Sequence, residues 1–229
     1  MPTPQPLTLG GLQLDPRHTS VREEYEEVGG RDARTIRIEG LLQDADADAL
    51  EAALGGVMAA ASGLGTVPLI LRPGRVLQVR RLAFRRERPR RGHTAFHLDL
   101  EAPDPYEYAG AETETPWAIA ASGDVIGLTP AGNVWAPVRV ALFANGDLVT
   151  PAIGDGTRTA TYTETVAAGS LLTFDGATGR VTLDDEDVTP YVTGDLPRIG
   201  PGPSTLTYAG DAASSHDATG SVVYRDRWW

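Results

Sequence analysis

The feature that most constrains the fold of this chain is how often it is interrupted. From Pro116 onward, short apolar or alternating segments recur at roughly the 8–12-residue spacing of a β-sandwich or barrel. Gly, Pro, Asn and Asp stand between them. The candidate strands are residues 116–121, 134–144, 148–153, 159–166, 171–175, 180–183, 204–208 and 221–227. No helical 3.6-residue period runs through this half. Asn145-Gly146-Asp147 predicts a hairpin turn between two of the strands, because Asn and Gly tolerate the positive φ that tight hairpins need. Asp175-Gly176 and Thr178-Gly179 bracket another turn. The expectation is an antiparallel, jelly-roll-like β-sandwich. With 26 Gly and 17 Pro in 229 residues, the chain is turn-rich yet below the ~25–30% typical of disorder.

The first half reads differently. Thr35 to Gly40 alternates apolar and charged residues, the pattern of a half-buried strand, and Gly29-Gly30 marks a turn before it. Leu50, Leu54, Val57, Met58 and Ala61 fall on one face of a helix over residues 46–61. Asp44, Asp46 and Asp48 supply its cap and suit its dipole, and Gly63 and Gly65 end it. Gly55-Gly56 weakens that helix by about 1 kcal/mol per glycine, so it requires tertiary support. Residues 76–85 and 94–101 read as two arms of a hairpin. Phe96, Leu98 and Leu100 face one way, and His97, Asp99 and Glu101 the other. Pro103 and Pro105 stop the second arm. The polar stretch of residues 110–116 divides the chain into an expected first domain, 1–110, and a second, 111–229, whose last strand packs its rings or returns to the first domain.

Charge follows the same division. Residues 1–110 hold 14 Arg and 16 acids, whereas residues 111–229 hold 6 Arg and 15 acids. The overall charge of -11 argues against general nucleic-acid binding. The absence of cysteine excludes disulfides, Cys-ligated zinc, iron–sulfur clusters and thiol catalysis. No apolar run is long enough to span a membrane, and the first ten residues lack the basic and apolar regions of a signal peptide.

Candidate chemistry is sparse. His93 and His97 are four apart, but on a strand that spacing places them about 13 Å apart, too far for a metal pair. Ser214-Ser215-His216-Asp217 holds the residue types of a hydrolase triad, yet adjacent residues cannot converge as a triad must. Asp184-Asp185-Glu186-Asp187 lacks the alternating spacing of a calcium loop and reads as a solvated hairpin turn. No catalytic, cofactor or metal residue is expected. The least ordinary feature is a cluster of seven arginines within twelve residues: Arg80, Arg81, Arg85, Arg86, Arg88, Arg90 and Arg91, with Glu87 the only acid among them. It reads as a subunit-interface loop, a solvated hairpin tip or a phosphate-binding patch. Like charges this dense are best tolerated where acids face them, which favours the interface.

The order of segments resembles the distal tail protein (Dit) family of long-tailed bacteriophages, which also occurs in prophages and gene-transfer particles. Ile36-Arg37-Ile38-Glu39-Gly40, the helix, and the arm ending Phe96 to Tyr106 carry the first part of the resemblance. Gly132-Asn133-Val134, Pro137 to Val140, Asn145-Gly146-Asp147, Thr150 to Ile153, Gly169 to Asp175, Arg180 to Leu183 and Ile199-Gly200-Pro201-Gly202 carry the second. The departures are Asp184 to Asp187, where the family often has a plain Asn-Gly turn, and Pro203-Ser204, where it usually has Asn.

The resemblance implies a mainly β fold: a split β-barrel with one packed helix, then a galectin-like β-sandwich. It also implies a non-enzymatic role without cofactors. Six copies form a ring that joins the tail tube to the baseplate hub or tip protein at the virion tail tip, having assembled in the host cytoplasm. DNA is met only in transit through the lumen, and no membrane is involved. The competing reading is a carbohydrate-binding or sugar-acting sandwich for host attachment. Its aromatics, Trp117, Trp135 and Trp228-Trp229, are dispersed in the sequence.

Overall fold

In the computed structural model, which describes residues 7–28, 31–63, 65–87 and 92–229, the alternation of the sequence becomes antiparallel sheet. The fold is mainly β with a single α-helix among the described residues, as expected. Two compact units divide it, Met1–Gly110 together with Trp229, and Ala111–Trp228.

The first unit contains β1 (Leu7–Leu9), β2 (Leu12–Leu14), β3 (Thr19–Val28), β4 (Arg31–Gln43), α1 (Ala47–Ala60), β5 (Val67–Ile70), β6 (Arg75–Arg86), β7 (His93–Ala102) and β8 (Glu107–Ala109). Its strands run in the order β2-β1-β5-β6-β7-β4-β3, with β8 beside the start of β6. β7 alternates buried and half-buried residues along its whole length. Ile36, Ile38, Leu98 and Leu100 form one apolar face, onto which Leu54 and Val57 of α1 pack. A Cβ at position 40 would lie 2.2 Å from the Phe96 ring, so glycine is needed where that ring crosses β4.

Asp46 caps α1 by accepting the amide of Asp48 at 3.1 Å. The helix stops at Ala61 rather than at Gly63. Met58 is 46% exposed, in contrast to its expected place on the core face. It directly follows Val57, and one helical residue advances about 100° around the axis. Val57 takes the position over the sheet, and Met58 falls on the flank. The Gly29-Gly30 turn lies outside the described residues.

The second unit contains β9 (Thr113–Ile119), β10 (Val125–Leu128), β11 (Ala136–Ala144), β12 (Leu148–Val149), β13 (Ala152–Gly154), β14 (Thr159–Tyr162), β15 (Thr165–Val166), β16 (Leu171–Asp175), β17 (Arg180–Leu183), β18 (Glu186–Asp187), β19 (Val192–Gly194), β20 (Arg198–Ile199), β21 (Ser204–Ala209) and β22 (Ala218–Tyr224). One sheet has the order β18-β17-β16-β11-β22-β9 and another β10-β21-β13-β14-β19. Val140, Leu142 and Phe174 of the first meet Ile153, Leu206 and Tyr208 of the second in one core.

One expected turn and one expected strand differ in the structure. Asn145-Gly146-Asp147 does not close a hairpin between β11 and β12. Both edges of β11 are already taken, by β16 and β22, so the chain leaves the sheet at this turn and β12 pairs β15 instead. The expected strand over residues 148–153 is broken at Thr150, whose φ is 45°.

Candidate functional site

The arginine cluster lies on the hairpin of β6 and β7. Four of its members are described, and Arg88, Arg90 and Arg91 lie outside the described residues. Strand alternation sends the four to two faces. Arg80 and Arg85 stand opposite Glu101 and His97, whereas Arg81 and Arg86 stand opposite Leu100 and Phe96 on the helix side. Arg80 bonds Glu101 at 2.8 Å, Arg81 donates to Ser62 Oγ at 2.7 Å, and Arg86 meets Glu51 of α1 at 2.5 Å. Arg85 is exposed and has no ion partner among the described residues. The hairpin is therefore partly neutralised from within, and among the described residues Arg81, bonded to a neutral hydroxyl, and Arg85 carry charge that no acid balances. The register shifts between Arg81 and Ala83, which makes Leu82 an extra residue that is 55% exposed.

This hairpin borders a four-stranded stretch, β6-β7-β4-β3, with two open sides. Beyond Val79, β6 pairs with β7 on one side and, among the described residues, with no strand on the other. β3 pairs with β4 and ends the sheet order. The first open side bears Arg80, Arg81, Arg85 and Arg86. The second bears Glu23, Glu24 and Glu26, of which Glu24 is paired with Arg22 at 3.0 Å and Glu23 is bonded by arginines from other strands, which leaves Glu26 unpaired among the described residues. The free sides of one sheet thus carry opposite charge.

A second constellation, not expected from the sequence, sits at the β3 side. Arg34 is fully buried. It donates to Glu23 Oε2 from Nε at 3.1 Å and again from Nη2, to Glu107 Oε1 at 2.8 Å and to the Pro105 carbonyl at 3.0 Å. Arg72 bonds the same Glu107 and reaches Glu23 at 3.2 Å. Burial opposes the charge of Arg34, but its bonds to Glu107 and Glu23 outweigh that and hold its pKa above the usual arginine value. Burial likewise raises the Glu23 carboxyl, and the Arg34 bond overrides it to a net lowering. The Arg34 guanidinium stands 5.1 Å from the Tyr25 ring centre. Trp229 packs on Tyr25 and Tyr106 at 5.5 and 5.2 Å. Parity was the available signal, since Arg34 shares the strand face of Ile36 and Ile38.

The other candidates are placed as local structure. Asp184 and Asp185, with φ of 48° and 71°, form the turn between β17 and β18. Asp184 also accepts the Leu171 amide at 2.8 Å. His97 pairs Glu39 at 3.4 Å. Ser214 Oγ donates to the Asp147 carbonyl rather than to a catalytic base, and accepts the His216 amide. Trp117 is buried in the sandwich core, whereas Trp135 is exposed beneath the Arg198 guanidinium. Among the described residues no helix is long and apolar enough to cross a membrane.

No sequence-family model and no curated protein matches the chain. Among solved structures it is similar to the Dit (gp 19.1) protein of phage SPP1, over 98% of this chain and 99% of that one, with a TM-score of 0.71 at 12% identity. That protein is presented as a paradigm of the hub adsorption apparatus in phages infecting Gram-positive bacteria. Infectious bursal disease virus structures, of the Gx strain and of the VP2 subviral particle, match 91% of this chain and 55% and 56% of theirs. Their TM-scores are 0.25 and 0.17 at 10% and 11% identity, too low to bear on the fold. The SPP1 comparison shows a shared fold, and the resemblance read in the sequence holds at that level.

Proposed function

We propose that this chain is a structural protein of a phage-type tail: a homo-hexameric ring adaptor between the end of the tail tube and the baseplate hub or tip protein, its lumen continuing the DNA channel. The observation that carries this reading is the end-to-end match to the SPP1 protein, whose own description places it in an adsorption apparatus. Nearly all of both chains is covered, so the likeness extends through both units rather than a common sandwich alone.

The open sides of the first unit support it further. A patch on one side and a different, oppositely charged patch on the other suit head-to-tail contact between copies, the kind that closes into rings. The arginine hairpin is then a contact surface, and its partners are further copies of the chain, the tail tube protein and the hub. The virion tail tip is the location this implies.

The test is light scattering coupled to size exclusion over a range of concentrations, alone and with the cognate tail tube protein. A species of six chain masses is expected. A monomer at every concentration, with and without the tube protein, would overturn the reading.

A further inference from the structure

Leu82 and the cleft beneath β3 have the complementary features of a knob and its hole, yet one chain cannot join them. Leu82 is the bulged residue on the open side of β6, between Arg81 and Ala83 and three residues before Arg85. The cleft, of about 220 Å³, is lined by the apolar Leu7, Pro16, Val21 and Leu71 together with Thr19, Glu23 and Arg72. β7 and β4 stand between β6 and β3, and Leu82 is not among the residues that line the cleft of its own chain. A contact between them must come from two molecules.

The core of the first unit is also unfinished at the β3 side. Val21 and Tyr25 stand opposite Ile38 and Arg34, both fully buried, and therefore point to the core side of the sheet. They nevertheless remain 38% and 44% exposed. An apolar row that runs off a sheet edge, beside unpaired strand backbone, is a template for another strand. The open side of β6 supplies what it lacks: an apolar knob and positive charge, including Arg85, which has no ion partner among the described residues. The β3 side supplies acids, including Glu26, which has none either among the described residues.

We propose that the residue 80–86 side of β6 in one copy docks along β3 of the next, with Leu82 entering the Val21 cleft and Arg85 facing the Glu24–Glu26 side. The occupant of the cleft is a second copy of this chain. The contact is heterologous, since the two patches differ, so repeating it builds a closed ring or an open filament. This rests on the ring reading above and assigns its contact.

The chain has no cysteine, so a designed disulfide is unambiguous. Leu82→Cys and Val21→Cys are made as separate single variants and mixed under mild oxidant. A disulfide needs its Cβ atoms about 3.5–4.5 Å apart. The expected result is a covalent dimer holding one chain of each kind, and a ladder of cross-linked multimers from the double variant. A charge test runs in parallel and needs no core change. Arg85→Glu should raise the concentration for half-assembly at least about tenfold, and adding Glu26→Arg should restore most of it. If wild-type chain forms rings but the mixture gives no mixed dimer and Arg85→Glu assembles normally, the docking is wrong and the ring reading stands. A mixed dimer without rings supports the docking and overturns the ring. Neither cross-link nor ring overturns both.

Discussion

Replacing Arg34 by methionine tests the buried ion cluster most sharply. The guanidinium is fully buried and bonds Glu23, Glu107 and the Pro105 carbonyl. Arg34→Met keeps most of the volume but takes from Glu107, which is 3% exposed, its fully buried partner. Glu107 then retains Arg72, and Arg75 at 3.9 Å. Removing one partner of such a network costs about 3–5 kcal/mol. With a urea slope near 2 kcal/mol per molar, the unfolding midpoint should fall by about 1.5–2.5 M. Hydrogen exchange read by mass spectrometry on peptides from β4 and β7 reports this unit separately from the sandwich. Because part of the penalty comes from the weakened pairing of the buried Glu107 carboxylate, Arg34→Met with Glu107→Met should recover part of it.

The same change alters the acid response. Glu23 titrates below its ordinary 4.5 in the folded chain, since the Arg34 bond outweighs burial. Its contribution is present above that pH and is lost as pH falls through the lower folded value. In Arg34→Met this acid-side loss should shrink. A midpoint within about 0.25 M of wild type, or an unchanged acid response, would refute the role assigned to the cluster.

Asp46→Ala removes the cap of α1 and should cost about 1 kcal/mol, seen as faster amide exchange in the first turn of that helix and not elsewhere. The Asp187 carboxyl is held at about 2 by its bonds to Thr189 and Arg180. Its link to Arg180 should therefore persist through mild acid and be lost only as pH falls through about 2. An NMR titration midpoint near the ordinary 3.8 would contradict that arrangement.

Much of the sheet structure was legible because period-2 alternation with one buried face leaves little choice of side. β7 shows this along its whole length, and Ile36 and Ile38 of β4 obey it. Arg34 obeys it too, although arginine is seldom fully buried unless paired. Only the distant Glu107 and Glu23, gathered by folding, make its burial tolerable. The Asn145-Gly146-Asp147 turn misled for a similar reason. A turn signal is local, whereas the neighbours of β11 were set by β16 and β22, far along the chain. Met58 matched the helical face within the tolerance of the pattern, and the sheet beneath selected Val57. The arginine cluster was visible as composition. What composition could not show is that Arg80, Arg81 and Arg86 have internal partners while Arg85 has none among the described residues. The opposite charge of the two open sides depends on strand order, which no local pattern contains.

The central claim is that copies of this chain associate head to tail into a closed six-fold ring. Electron microscopy of the purified full chain, alone and with its tail tube protein, tests it directly. The account predicts rings with a central opening and six-fold class averages, dispersing as salt is raised from about 0.05 to 0.5 M because charged edges contribute to the contact. Monomers alone, or two-fold dimers joined through identical patches, would contradict it.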